Sequence, residues 1–180
     1  NQIWEFGRWI ARRDPGSARL SWTGGEVVLG VCQGRIHSVE GLASEELAKR
    51  LACDSAGEDD LLAEARILGQ ERGVPETQAM GTAKEILQDA LHQWLMDPGR
   101  EVTLDDGEPA HVDGATISIT HALVELVLAD TEHNVASSIL PDADIALQRS
   151  SGFIELYAPL RLSEEADLIV ASITGSATAE

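Results

Sequence analysis

From Arg19 to Gly41 apolar and polar positions alternate with roughly the two-residue period of half-buried strands. Leu20, Trp22, Val27, Leu29, Val31, Ile36 and Val39 supply the apolar set. Thr23-Gly24-Gly25 and Gln33-Gly34 interrupt the alternation where tight hairpins need residues that tolerate positive φ. These runs predict a small antiparallel meander. Upstream the period changes. Ile3, Phe6, Trp9 and Ile10 recur near helical spacing, so Gln2 to Arg13 is expected to be an amphipathic helix, ended by Asp14-Pro15-Gly16 and packed on the meander.

After Gly41, Ser44 reads as the cap of a short helix through Cys53, with Leu47, Ala48 and Leu51 inward. The acidic triplet Glu58-Asp59-Asp60 suits the amino end of another helix, which continues through Leu61, Leu62, Ala65, Ile67 and Leu68 to about Gln70. Gly73-Val74-Pro75 is a loop. Thr82-Ala83-Lys84-Glu85 matches a capping box, opening the clearest helical stripe of the chain: Ile86, Leu87, Ala90, Leu91, Trp94 and Leu95. Asp97-Pro98-Gly99 stops it. Arg100 to Leu104 reads as a strand, Asp106-Gly107 as a turn and Ala110 to Val112 as a return strand.

Ile117 to Asp130 is strongly apolar but shorter than the ~18 residues of a membrane span, so a buried helix is expected. Beyond Thr131 the pattern loosens: a strand-like Ile145 to Gln148, a segment Phe153 to Leu162, and a helix opening at Ser163-Glu164-Glu165. The fold class expected is α+β, a small antiparallel β-meander packed by helices, with a C-terminal, partly helical extension. Residues 1–130 form the main domain and 131–180 the extension.

Composition changes this picture in two ways. The apolar fraction of 43% supports a packed core, and with aromatics at 4% that core is mostly aliphatic. Acidic residues outnumber basic ones 31 to 13, and a net charge of −18 repels phosphate backbones and anionic lipid headgroups, which argues against nucleic acid and polybasic-type membrane binding. Within that field Arg8, Arg12, Arg13, Arg19 and Arg35 gather basic charge near the amino end, giving a dipolar surface that could steer a partner or a second copy. Cys32 and Cys53 have no CxxC spacing and read as reduced, half-buried residues of a cytoplasmic protein. With no secretory signal, and with a start at Asn1 and an end in SITGSATAE, the chain reads as a piece of something longer.

Reactive chemistry finds little support. None of the five histidines forms an HxxxH or HExxH pair, and His111, Asp113, His121 and His133 lack the spacing of about four converging zinc ligands, so no metal is expected. No GxSxG elbow, GxGxxG turn or GxxxxGK[ST] loop is present, and Lys49 and Lys84 are the only lysines, leaving the amino-terminal arginines as the main anion-binding resource. Paired carboxylates such as Glu45-Glu46 and Asp59-Asp60 are sequence neighbours, whereas acid–base catalysis needs groups converging across the fold. No cofactor and no enzymatic activity are expected.

The order of elements carries more information. A short helix precedes the meander Ala18 to Gly41, followed by a helical middle, then Ala90-Leu91-His92-Gln93-Trp94-Leu95 and Pro98-Gly99-Arg100-Glu101-Val102-Thr103-Leu104, and lastly Leu160-Arg161-Leu162-Ser163-Glu164-Glu165 through Ile173-Thr174-Gly175. That order resembles the PATAN (PatA amino-terminal) domain family of bacterial signalling proteins. The family's usual aromatic after the second hairpin's glycine is Val102 here. The resemblance implies a PATAN-like domain over residues 1–130, with 131–180 a truncated winged-helix-like segment. It implies a non-catalytic, cytoplasmic adaptor in signal transduction, whose protein partner is a response regulator, a pilus or motility component, or a Ras-like GTPase. Homo-oligomers fit the same reading, and membrane insertion does not. The partner-binding residues expected are Trp4, Arg8, Trp9, Arg12 and Arg13, although for both tryptophans a core role is the preferred reading, since large aromatics usually pack. A sensor of a nucleotide second messenger, using the same arginines, is the alternative.

Overall fold

The computed structural model describes residues 2–12, 14–71, 73–107 and 114–129. The expected return strand at 110–112 and the expected extension at 131–180 lie outside the described residues, as does Arg13. In chain order the elements are α1 (Gln2–Arg12), β1 (Gly16–Trp22), β2 (Gly25–Cys32), β3 (Arg35–Glu40), α2 (Ser44–Arg50), α3 (Leu61–Glu71), α4 (Glu76–Met96), β4 (Glu101–Asp105), β5 (Ile117–Ser118) and α5 (Ile119–Ala129). The strands form one antiparallel sheet in the order β4-β1-β2-β3-β5, and the fold class is α+β.

Alternation places Ala18, Leu20, Val27, Leu29 and Val31 on one buried face of the sheet. In β3 the inward residues Ile36 and Val39 are three apart, which a regular strand cannot bury together. A register shift resolves this: Val31 pairs with Ile36 and Gly30 with Ser38, leaving His37 as the extra residue of a β-bulge. The two hairpins of the meander turn differently. Gln33 (φ 53°) and Gly34 (φ 74°) both adopt positive φ, the I′-type geometry that matches strand twist. Thr23 and Gly24 do not, contrary to expectation. That turn is held from outside instead, by Asp97 accepting from the Thr23 N–H at 3.0 Å and from the Gly99 N–H at 2.6 Å.

Helices cover the buried face. Leu61, Leu62, Ala65 and Leu68 of α3 and Ala79, Ala83, Ile86, Leu87, Leu91, Trp94 and Leu95 of α4 join the sheet residues in one core. Helix α1 reaches it through Ile3, Phe6, Trp9 and Ile10. Phe6 stands edge-on to Trp94, ring centroids 5.5 Å apart, and the Trp94 indole N–H donates to the Glu101 carbonyl at 2.9 Å.

The starts of α2 and α4 differ from expectation, and that of α3 follows it. Ser44 is the first residue of α2, which ends at Arg50; its hydroxyl donates to the Glu58 carbonyl and caps nothing. Helix α3 starts at Leu61, with Asp60 accepting from the Leu62 N–H at 2.9 Å and also from the Val39 N–H at 2.9 Å, so the acidic cap ties the helix to β3. Helix α4 starts at Glu76, six residues before the capping-box motif, because the Pro75 carbonyl accepts from Gln78 and Ala79 while Ala79 and Ala83 are small enough to bury fully. Thr82 is mid-helix and donates to Gln78. The apolar run from Ile117 divides into β5 and α5, with Ile119 and Ala122 buried and Leu123, Val124 and Leu126 only half-buried.

Two charged side chains of α3 are inside. The Glu64 carboxylate accepts from the Ser55 hydroxyl (2.8 Å) and the backbone N–H groups of Ala56 (2.8 Å) and Glu58 (3.1 Å), organising the loop before α3. Arg66 donates to the Ala115 carbonyl (2.8 Å) and to the carbonyl of the bulged His37 (3.0 Å), locking β3 to the segment before β5. Gly114 gives the guanidinium room: φ is +129°, and a Cβ there would lie 2.9 Å from Arg66 Cδ. These backbone carbonyls and N–H groups satisfy most of the buried polar demand of both residues.

Candidate functional site

The sequence points to α1, and the structure sorts its residues by helical face. Trp9 lies on the buried face, 3% exposed, and its indole N–H donates to Asp106 at 2.8 Å. It is an anchor between α1 and the end of β4, not a ring offered to a partner. The physical reason is its position three residues after Phe6, with which it stacks at 6.3 Å. Arg8 and Arg12 are on the outer face, exposed and four residues apart. Arg12 lies 3.6 Å from Asp106, whereas no hydrogen bond or ion pair holds Arg8 among the described residues. Trp4 belongs to α1; its side chain, like Arg13, is outside the described part.

Arg8 and Arg12, with Glu5 and Leu104, line an open groove of about 550 Å³ between α1 and β4. Among the described residues β4 is an edge strand, paired only with β1. Its Val102 N–H points away from β1 and is taken by the Gln2 side chain at 2.8 Å, which covers one end of the edge. By strand alternation Leu104, two residues on, turns its N–H and C=O to the same outer side, into the groove. The arrangement is an exposed guanidinium beside a short length of strand edge that no described residue pairs.

A second concavity was not anticipated. Arg35 from β3, Lys84 from α4 and His121 from α5 line an open cleft of about 340 Å³ together with Met80, Ala115, Thr116, Ile117 and Ser118. Residues 35, 84 and 121 are far apart in sequence, and only the pairing of β5 with β3 and the packing of α5 on α4 bring them together. Arg35 donates through Nε to the Thr116 hydroxyl and through Nη2 to the Thr116 carbonyl at 3.0 Å. Lys84 Nζ lies 2.8 Å and His121 Nε2 2.9 Å from Glu125, which also accepts from Gln88 at 3.1 Å. Partial burial tends to raise the Glu125 pKa, but Lys84, Gln88 and His121 outweigh it and hold the carboxyl below its ordinary value.

Among the described residues, no group of three or more His, Cys, Asp or Glu is placed to hold a metal ion. Cys32 and Cys53 are free and half-buried. No helix among the described residues is long and apolar enough to cross a membrane. No protein-family model, curated protein or solved structure matches the chain.

Proposed function

We propose that this chain is a PATAN-like, non-catalytic adaptor of bacterial signal transduction, docking a response regulator, a pilus or motility component, or a Ras-like GTPase in the cytoplasm. The observation that carries the reading is the α1–β4 groove, where Arg8 stands without an acid partner among the described residues, beside the outward-facing backbone of Leu104. Such an edge accepts an extended peptide as an added strand, through main-chain hydrogen bonds. The two arginines then favour a partner segment carrying carboxylates, and a chain of net charge −18 has little else in that groove to attract one. The occupant proposed is therefore an extended acidic segment of a protein partner.

The test is cross-linking mass spectrometry with purified candidate partners, comparing the wild-type chain with Arg8→Glu/Arg12→Glu. Both substitutions are on exposed positions, so the helical signal and unfolding midpoint should stay close to wild type. The expected result is a partner cross-linked beside α1 and β4, lost on charge reversal and weakened by salt. Binding that survives charge reversal removes this surface from the proposal. Failure of every purified candidate to bind the wild-type chain removes the adaptor role.

A further inference from the structure

We infer that the cleft between β3, α4 and α5 is a binding site for a small phosphomonoester. This inference stands apart from the docking role, since it uses another face and other residues. Its basis is local charge. In a chain with 31 acidic and 13 basic residues, the described lining of this cleft includes an arginine, a lysine and a histidine and no carboxylate. Glu125, bonded to Lys84 and His121, is not part of the lining and offsets only one of the charges.

The donors are of the right kind. Thr116 engages Arg35 Nε and one N–H of Nη2, and a guanidinium has five donors, so among the described residues three are left for a ligand in a fixed fork. That fork matches phosphate oxygens, with Lys84 supplying a point charge. Thr116 also pins the guanidinium, so less conformational freedom is lost when an anion binds. The cleft volume of about 340 Å³ is larger than inorganic phosphate needs, and Met80 and Ile117 supply apolar wall. A phosphate bearing a small apolar or planar group fills both parts. The sequence left Arg35 among the amino-terminal arginines and found little phosphate-binding capacity beyond them; the fold supplies it.

The experiment is a titration of the full 180-residue chain with phenyl phosphate and, separately, inorganic phosphate, followed by calorimetry and by the methyl resonances of its two methionines. Phenyl phosphate is expected to bind more tightly than inorganic phosphate, and to shift the Met80 methyl while leaving that of Met96, exposed and outside the cleft, unmoved. Arg35→Gln is expected to weaken binding about tenfold or more, and Arg35→Lys, which keeps the charge but loses the fork, to recover only part. Co-sedimentation with phosphatidic-acid vesicles, which carry the same phosphate on a lipid, is expected to be absent. Three results would each overturn the inference: no heat or shift with either soluble phosphate, equal response of both methionines, or binding to vesicles only. The wild-type methyl data decide the matter even if the Arg35 variants do not fold.

Discussion

At the level of single residues, the carboxylates show that position in the fold decides what a charge does. Glu64 is an acid on the inner face of α3, yet it is fully buried because three donors of the preceding loop converge on it. Replacing it by alanine strands the N–H groups of Ala56 and Glu58, and Glu64→Ala is expected to cost about 3 kcal/mol in chemical denaturation, with Glu64→Gln costing less. Asp97 is only half-buried and acts differently. Hydrogen bonds from Thr23 first, then from the Gly99 backbone, with the nearby Arg100 charge, hold its carboxyl below the ordinary value. Because the folded pKa is the lower one, its stabilisation is complete above the unfolded carboxylate value of about 3.9 and fades as pH falls through the folded value. Unfolding midpoints of the wild type and Asp97→Asn should therefore differ at neutral pH and converge on acidification. A gap that stays constant into strong acid would show that Asp97 acts through packing alone.

At the level of elements, the decisive pairing is α1 with the rest of the core. Phe6 packs edge-on against Trp94 and stacks on Trp9, so α1 is held by three rings and by the Trp9–Asp106 hydrogen bond. Truncation by Phe6→Ala is expected to cost about 3–5 kcal/mol. If α1 instead docks loosely, the loss would be well under 1 kcal/mol and amide protection in α4 would not change. Elements also show where local pattern misleads. The capping-box spelling at Thr82 is strong, yet burial of Ala79 and Ala83 extends α4 back to Glu76, because a longer buried stripe outweighs one cap. In β3 the bulge at His37 lets Ile36 and Val39 both face inward and leaves the His37 carbonyl to Arg66.

At the level of the whole molecule, charge is unevenly placed. The net charge is −18, yet one concavity described above is lined by Arg8 and Arg12 and the other by Arg35 and Lys84. If electrostatics guide partner docking to the α1–β4 groove, the association rate should fall steeply between about 20 and about 200 mM salt, while dissociation changes little. An association rate indifferent to salt would leave shape alone as the recognition principle. The same measurement with Arg8→Glu/Arg12→Glu separates local charge in the groove from the net field of the chain.

The amino-acid sequence by itself determined the meander, the amphipathic faces of α1 and α4 and the strand after Pro98-Gly99, because each is written in the spacing of nearby residues. Arg8 and Arg12 were legible as an outward pair for the same reason, being four apart on a helix whose inner face is apolar. Only the tertiary structure decided that the Trp9 indole meets Asp106, that the sheet order is β4-β1-β2-β3-β5, and that Arg35, Lys84 and His121 share a cleft. Local periodicity reports which side of an element is apolar. It carries no term for contacts between residues dozens of positions apart, and those contacts exist only once the sheet has closed around its own long-range pairings.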